Sequence, residues 1–128
     1  MENIVNELIA RIESMETDDK IKAINSIKLA LHDVSPFNSE PVDCVLWVKS
    51  DEVVSNNYNP NQVAPPEMEL LMHSVMSDGY TQPIVCHHNG DSREVVDGFH
   101  RSRVGKEVDE VRDRLNGYLP VTMINSER

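Results

Sequence analysis

The sequence predicts an α+β fold, a small mixed sheet with packed helices, preceded by an N-terminal helical extension. Three observations predict it. Apolar residues recur at helical spacing through the first third of the chain, switch to strand-like alternation after Pro41, and then alternate between the two periods up to Ile124. The 128 residues suffice for one ordinary domain and a short extension. With 39% hydrophobic and only 5% aromatic residues, the core has to be built mainly from Val, Ile, Leu and Met.

Ile4, Val5, Leu8, Ile9 and Ile12 form one helical stripe. Thr17-Asp18-Asp19 interrupts it and offers N-cap oxygens to a second helix carrying Ile21, Ile24, Ile27 and Leu31. Residues 1–35 thus read as a helical extension of two short amphipathic helices, and 36–41, bounded by Pro36 and Pro41, as a linker. Such helices cannot bury their stripes alone. They pack on the main domain or on a second copy, which would make the chain a homodimer through its N-terminal helices.

The main domain is expected over 42–128. Val42, Cys44, Leu46 and Val48 alternate as a strand, and Asn56–Asn61 is a turn-rich loop. Pro65-Pro66-Glu67 opens a helix, with Glu67 and Glu69 complementing its dipole and Gly79 as its stop. Pro83–His88 and Arg93–Val96 form a hairpin around Asn89-Gly90-Asp91. A helix begins after Asp97-Gly98 and runs through Val104, Val108, Val111 and Leu115, weakened at Gly105 by about 1 kcal/mol. Leu119–Ile124 is the last strand.

Composition excludes several function classes. Twelve Lys+Arg against 22 Asp+Glu leave a net charge of −10, which opposes nucleic-acid binding by bulk electrostatics. Cys44 and Cys86 have no CxxC spacing, so neither a zinc site nor a disulfide staple is indicated, and Cys86 reads as a small buried hydrophobe. The adjacent His87 and His88 point to opposite faces of a strand and cannot chelate one metal together. The acidic N-terminus is no signal peptide, and no apolar run could span a membrane. A soluble cytoplasmic protein is expected, without membrane contact.

Chemistry concentrates at Asp97-Gly98-Phe99-His100-Arg101-Ser102-Arg103. Seven of the eight bases beyond residue 41 follow position 92, which builds either a local anion site or a solvated helix face. Here a strand ends, glycine permits an unusual backbone, and a helix begins with unpaired amides, a combination that favours an anion. His100 and Arg101 add donors, Arg being able to grip phosphate with two nitrogens. Asp97 could hold Mg²⁺, orient His100 or accept a substrate hydroxyl. The bland alternative is an N-cap Asp with exposed helix bases.

The run from Val45 to Ile124 resembles the N-terminal domain of the ParB/sulfiredoxin superfamily. The resemblance is carried by Asn59-Pro60, the helix EMELLMHSVMSDG (67–79), QPIV (82–85), VVDGFHR (95–101) and LPVTMI (119–124). LHDVSPF (31–37), PVDCVLWV (41–48), Asn57–Asn61, DGFHRSRVGKE (97–107) and GYLPV (117–121) are similar to one branch, the IbrB-like co-activators of prophage gene expression. In partition proteins the turn is Gly-Glu-Arg-Arg and cradles the triphosphate of CTP; Gly98 and Arg101 match it. Sulfiredoxins carry Gly-Cys-His-Arg, and Phe99 replaces the redox cysteine, so that chemistry does not transfer. Free-serine kinases carry Asp-Gly-His-His-Arg, matched by Asp97, Gly98, His100 and Arg101, with a glutamate base outside the turn for which Glu67 and Glu69 are the candidates.

The resemblance implies a nucleoside triphosphate, CTP or ATP, bound with Mg²⁺ by Gly98, Phe99, His100, Arg101 and Arg103, with Asp97 on the metal. Asp97 and His100 are the candidate catalytic groups. Tyr58, Asn59 and Gln82 border the pocket in the superfamily and are weaker candidates. The expected function is a nucleotide-binding regulatory domain, a co-activator of prophage gene expression working through a protein partner. DNA would be reached only indirectly or through residues C-terminal to those given. An ATP-dependent small-molecule kinase or NTP hydrolase is the alternative, as is a protein-interaction domain with a degenerate nucleotide site.

Overall fold

The computed structural model describes residues 1–55 and 65–124, and divides the chain into two compact units, Met1–Cys44 and Val45–Arg128. The expected loop contacts of Tyr58 and Asn59 lie outside the described residues.

The first unit is a helical hairpin, α1 (Glu2–Glu13) and α2 (Thr17–Asp33), followed by a 3₁₀ turn at Pro41–Asp43. Glu16 is the N-cap of α2, so Thr17, Asp18 and Asp19 form its first turn, where the two aspartates complement the dipole rather than cap the helix. Neither helix has a buried residue, and Ile4, Val5, Leu8 and Ile9 remain exposed. His32, in the last turn of α2, hydrogen-bonds Asp43 at 2.6 Å and ties the helix end to the 3₁₀ turn.

The second unit is a five-stranded mixed sheet with three helices. Its elements are β1 (Leu46–Lys49), β2 (Val53–Val54), α3 (Pro66–Asp78), β3 (Ile84–Asn89), β4 (Ser92–Asp97), α4 (Phe99–Glu107), α5 (Asp109–Arg114) and β5 (Tyr118–Met123). The strand order is β1-β5-β3-β4-β2. β5 runs antiparallel to β1 and parallel to β3; β4 is antiparallel to β3 and parallel to β2. The first strand begins at Leu46 rather than Val42, because Pro41 starts a 3₁₀ turn that leaves Val42 exposed. The expected single helix after Gly98 breaks at Val108, whose backbone is extended (φ −89°, ψ 109°), not at Gly105.

Two apolar clusters hold this unit. Val48, Val53, Ile84, Cys86, Leu119 and Val121 pack on the sheet; Met68, Val75, Val104 and Val111 pack among the helices. Tyr80 touches both clusters. Burial pushes the Cys86 thiol up to about 11, so it stays protonated and behaves as a small hydrophobe. His87 is mostly covered and His88 exposed, as strand alternation requires. Among the described residues no helix is long and apolar enough to cross a membrane.

Gly105 is where α4 meets the sheet. A Cβ built there would lie 2.1 Å from Leu119 Cδ2 and 2.8 Å from the Tyr80 hydroxyl. Helix propensity alone favours Gly105→Ala by about 1 kcal/mol, but overpacking a filled site costs about 1–3 kcal/mol. Packing should win, and Gly105→Ala should lower the urea midpoint; a raised midpoint would mean that α4 does not press on Leu119.

In the first unit, the Asp43 carboxyl is held below its usual 3.8 chiefly by its hydrogen bond to His32. A depressed acid contributes stability that is present above its unfolded value and lost as pH falls through the folded one. In His32→Ala the Asp43 carboxyl carbon should titrate closer to 3.8 by NMR. An unchanged midpoint would show that the pair does not form in solution.

Candidate functional site

The β4–α4 turn begins where Asp97 ends its strand and Gly98 takes the left-handed conformation (φ 93°, ψ 30°). That conformation is open to glycine at little cost and to most side chains only under strain. Ser102 N–H donates to the Gly98 carbonyl at 2.9 Å and starts the helical ladder. No side chain caps this N-terminus, so the first-turn amides of His100 and Arg101 lack an intrahelical acceptor. The Ser102 hydroxyl instead turns inward and donates to the Phe99 carbonyl at 2.6 Å.

Around this turn lies a cavity of about 370 Å³, lined by Leu71 of α3 together with Val96, Asp97, Gly98, Phe99, His100 and Arg101. That is near the small end of the range for ligand pockets. Its chemistry is divided: Leu71, Val96 and Phe99 are apolar, while the helix terminus, His100 and Arg101 supply donors. The Phe99 and His100 rings lean on each other, centroids 5.3 Å apart and planes tilted by 56°.

Arg101 folds back over Gly98. A Cβ on Gly98 would come within 2.9 Å of the guanidinium Nη2 and 3.0 Å of Nε. Nη2 lies 3.6 Å from Asp97 Oδ2, an ion pair in which the aspartate is three-quarters exposed. The buried Arg101 Nε has no hydrogen-bond partner among the described residues. A desolvated donor without an acceptor is costly, so the side chain is held in this pose at some expense.

The other cations of this segment are engaged elsewhere. Arg103 is buried and grips Glu107 with two nitrogens, at 2.7 Å and 3.0 Å, and it does not line the cavity. Arg114 donates to the Val75 and Met76 carbonyls, capping the end of α3. Arg93 pairs with Glu52, Arg112 with Asp109 and Asp113, and Lys106 donates to the Val53 carbonyl. The charge segregation visible in the sequence therefore serves mostly to fasten the fold. Among the described residues, Arg101 is the one Lys or Arg that lines the cavity.

Glu67 and Glu69 are exposed in the first turn of α3, outside the cavity, and Gln82 is exposed as well. Asp97 is the cavity's one carboxylate, and no group of three His, Cys, Asp or Glu that could hold a metal occurs among the described residues. This matches how Mg²⁺ is bound beside nucleotides, through one or two carboxylates plus the phosphates themselves, and does not match a cation held by protein alone. Leu71 and Val96 were not legible as site residues, because only the tertiary fold brings them to the turn. The signal for Tyr80, whose hydroxyl donates to the Arg101 carbonyl at 2.5 Å, was the isolated Gly105 inside a helical pattern.

Gly98→Ala tests the turn. Forcing a Cβ into this left-handed position should cost about 1–3 kcal/mol and push the guanidinium off the turn. Thermal unfolding reads the first effect; the second would appear as a changed Arg101 side-chain NMR signal. A variant as stable as its parent would show that the turn is not left-handed in solution.

Comparison with known proteins places this site in a family. The ParB N-terminal domain model matches residues 35–114. The uncharacterized protein YbdM of Escherichia coli (strain K12) is 51% identical over 128 residues, covering 99% of this chain; the chain spans 61% of that relative's length. C-terminally truncated ParB from Caulobacter crescentus, complexed with CTP-gamma-S, superposes with a TM-score of 0.48 at 17% identity, over 65% of this chain and 45% of that one. C-terminally truncated SbnI from Staphylococcus aureus gives a TM-score of 0.49 at 20% identity, over 64% of this chain and 31% of that one. With Gly98 and Arg101 inside the matched span, the chain belongs to the ParB N-terminal domain family.

Proposed function

We propose that the second unit is a nucleotide-binding regulatory domain whose Gly98 turn receives the phosphates of a nucleoside triphosphate. The observation that carries this reading is Arg101: a guanidinium laid over a left-handed glycine at a helix N-terminus that no side chain caps among the described residues. Phosphate oxygens satisfy each of these donors at once. Leu71, Val96 and Phe99 give the same cavity an apolar side against which a base or ribose could rest.

Asp97 has two parts in this reading. In the free protein it pairs with Arg101 and holds the guanidinium over the turn. With phosphate bound, it is the carboxylate available to a Mg²⁺ that the phosphates already carry. His100, exposed on the first turn, is a further donor to the phosphates and the group best placed to exchange a proton there. Arg103 is assigned to the fold, through its pair with Glu107.

The resemblance to IbrB-like co-activators supports a role in prophage gene expression through a protein partner. The exposed apolar stripe of α1 is the surface proposed for that partner or for a second copy. No observation favours phosphoryl transfer over binding, since neither Glu67 nor Glu69 lines the cavity.

Calorimetric titration with CTP and with ATP, each with Mg²⁺, tests the reading. Removing a charged hydrogen-bonding partner of phosphate costs about 1.5–3 kcal/mol, so Arg101→Ala should weaken binding by about 10- to 150-fold. Binding of neither nucleotide by the parent chain, or equal binding by Arg101→Ala, would overturn it.

A further inference from the structure

Tyr80 stands in the short connection between Gly79, which ends α3, and β3, in neither a helix nor a strand. Its ring touches the sheet cluster and the helix cluster alike. Its hydroxyl reaches α4, donating to the Arg101 carbonyl at 2.5 Å. Arg101 and Gly105 are the i and i+4 members of one helical turn, so the hydroxyl docks beside the rung of the ladder that begins at Arg101.

The approach is possible only because residue 105 is glycine. The Tyr80 oxygen lies 2.8 Å from where a Cβ would sit, closer than side-chain atoms normally come. Burial, the largest influence on this phenol, pushes it up to about 12, so it stays protonated and remains a donor at any physiological pH. Tyrosine hydroxyls that are buried usually find a partner. Here the hydroxyl holds the backbone of the residue whose side chain lines the cavity.

We propose that Tyr80 is the positioning residue of the anion site, fixing the roll of α4 through the Arg101 carbonyl so that the guanidinium lies over Gly98. The inference rests on the nucleotide reading for its consequence in binding, but its structural half, the link from Tyr80 to Arg101, can be read without any ligand. The lever is short. The guanidinium sits within about 3 Å of the Gly98 position that a Cβ would take, so a small rotation of the helix removes it from the turn. Loss of the hydroxyl leaves the ring in both clusters, and the Arg101 carbonyl keeps its helical partner at Gly105. The effect should therefore fall on position rather than on folding.

Tyr80→Phe in the full chain, compared with the parent and with Arg101→Ala, gives the test. In the ligand-free protein the Arg101 Nε–H NMR signal, identified by its loss in Arg101→Ala, should move toward those of exposed arginines. Titration with CTP and ATP in Mg²⁺ should then show dissociation constants about 3- to 10-fold higher, the scale of one net hydrogen bond, with the melting temperature nearly unchanged. An unmoved Nε–H signal together with unchanged dissociation constants would overturn the proposal. So would a loss of affinity matched by a large fall in melting temperature, which marks a packing role only. If the Nε–H signal moves but the parent titrates neither nucleotide, the positioning link stands and the nucleotide reading falls.

Discussion

Helix α4 rests on β5 with no room for a methyl group between them, and the arrangement of the cradle follows from that contact. Gly105 faces Leu119, a residue with no exposed surface, so the helix is pinned at a fixed height above the sheet. Its N-terminus then has to begin at the end of β4, and a left-handed glycine makes that abrupt change of direction. Tyr80 enters through the gap that the missing Cβ leaves and secures the helix from the side. Packing in the interior thus determines where the first-turn amides and the Arg101 side chain stand.

Electrostatics is arranged around the same helix. Arg103 turns inward to Glu107, Lys106 ties α4 to β2, and Arg114 closes the end of α3. These contacts are partly buried and directional, unlike exposed surface pairs, which contribute little. With Arg93 and Arg112, which are paired to Glu52 and Asp109, they account for five of the seven Lys and Arg that the sequence places after residue 92. Arg101 differs because its counter-charge, Asp97, is mostly in solvent and 3.6 Å away, a weak hold.

The elements with sustained periodicity were legible: α1, α2 and α3, the β3–β4 hairpin around Gly90, and β5. β2 was not, since two residues, Val53 and Val54, are too few to show alternation. The break at Val108 was hidden because Val104, Val108 and Val111 keep helical spacing across it. At the site, Gly98 and Arg101 could be read from the turn itself. Arg103 was grouped with them, although two residues along a helix is more than half a turn, which directs it to the far side. Leu71, Val96 and Tyr80 reach the turn from distant parts of the chain, and no local pattern announces that.

The position of β5 bears on how the domain is born. This strand is last in sequence among those described, yet it lies between β1 and β3 and joins them. β1 has no other neighbour in the sheet, so it must wait through about seventy residues of synthesis for a partner. The β3–β4 hairpin can form as soon as it leaves the ribosome, but β1 and the hairpin stay separate until Tyr118–Met123 arrives to bridge them. Leu119 travels on that same strand, so the surface on which α4 will lie does not exist before then. The cradle is consequently among the last features of the domain to be made, and a nascent chain cannot shape it until β5 has been inserted.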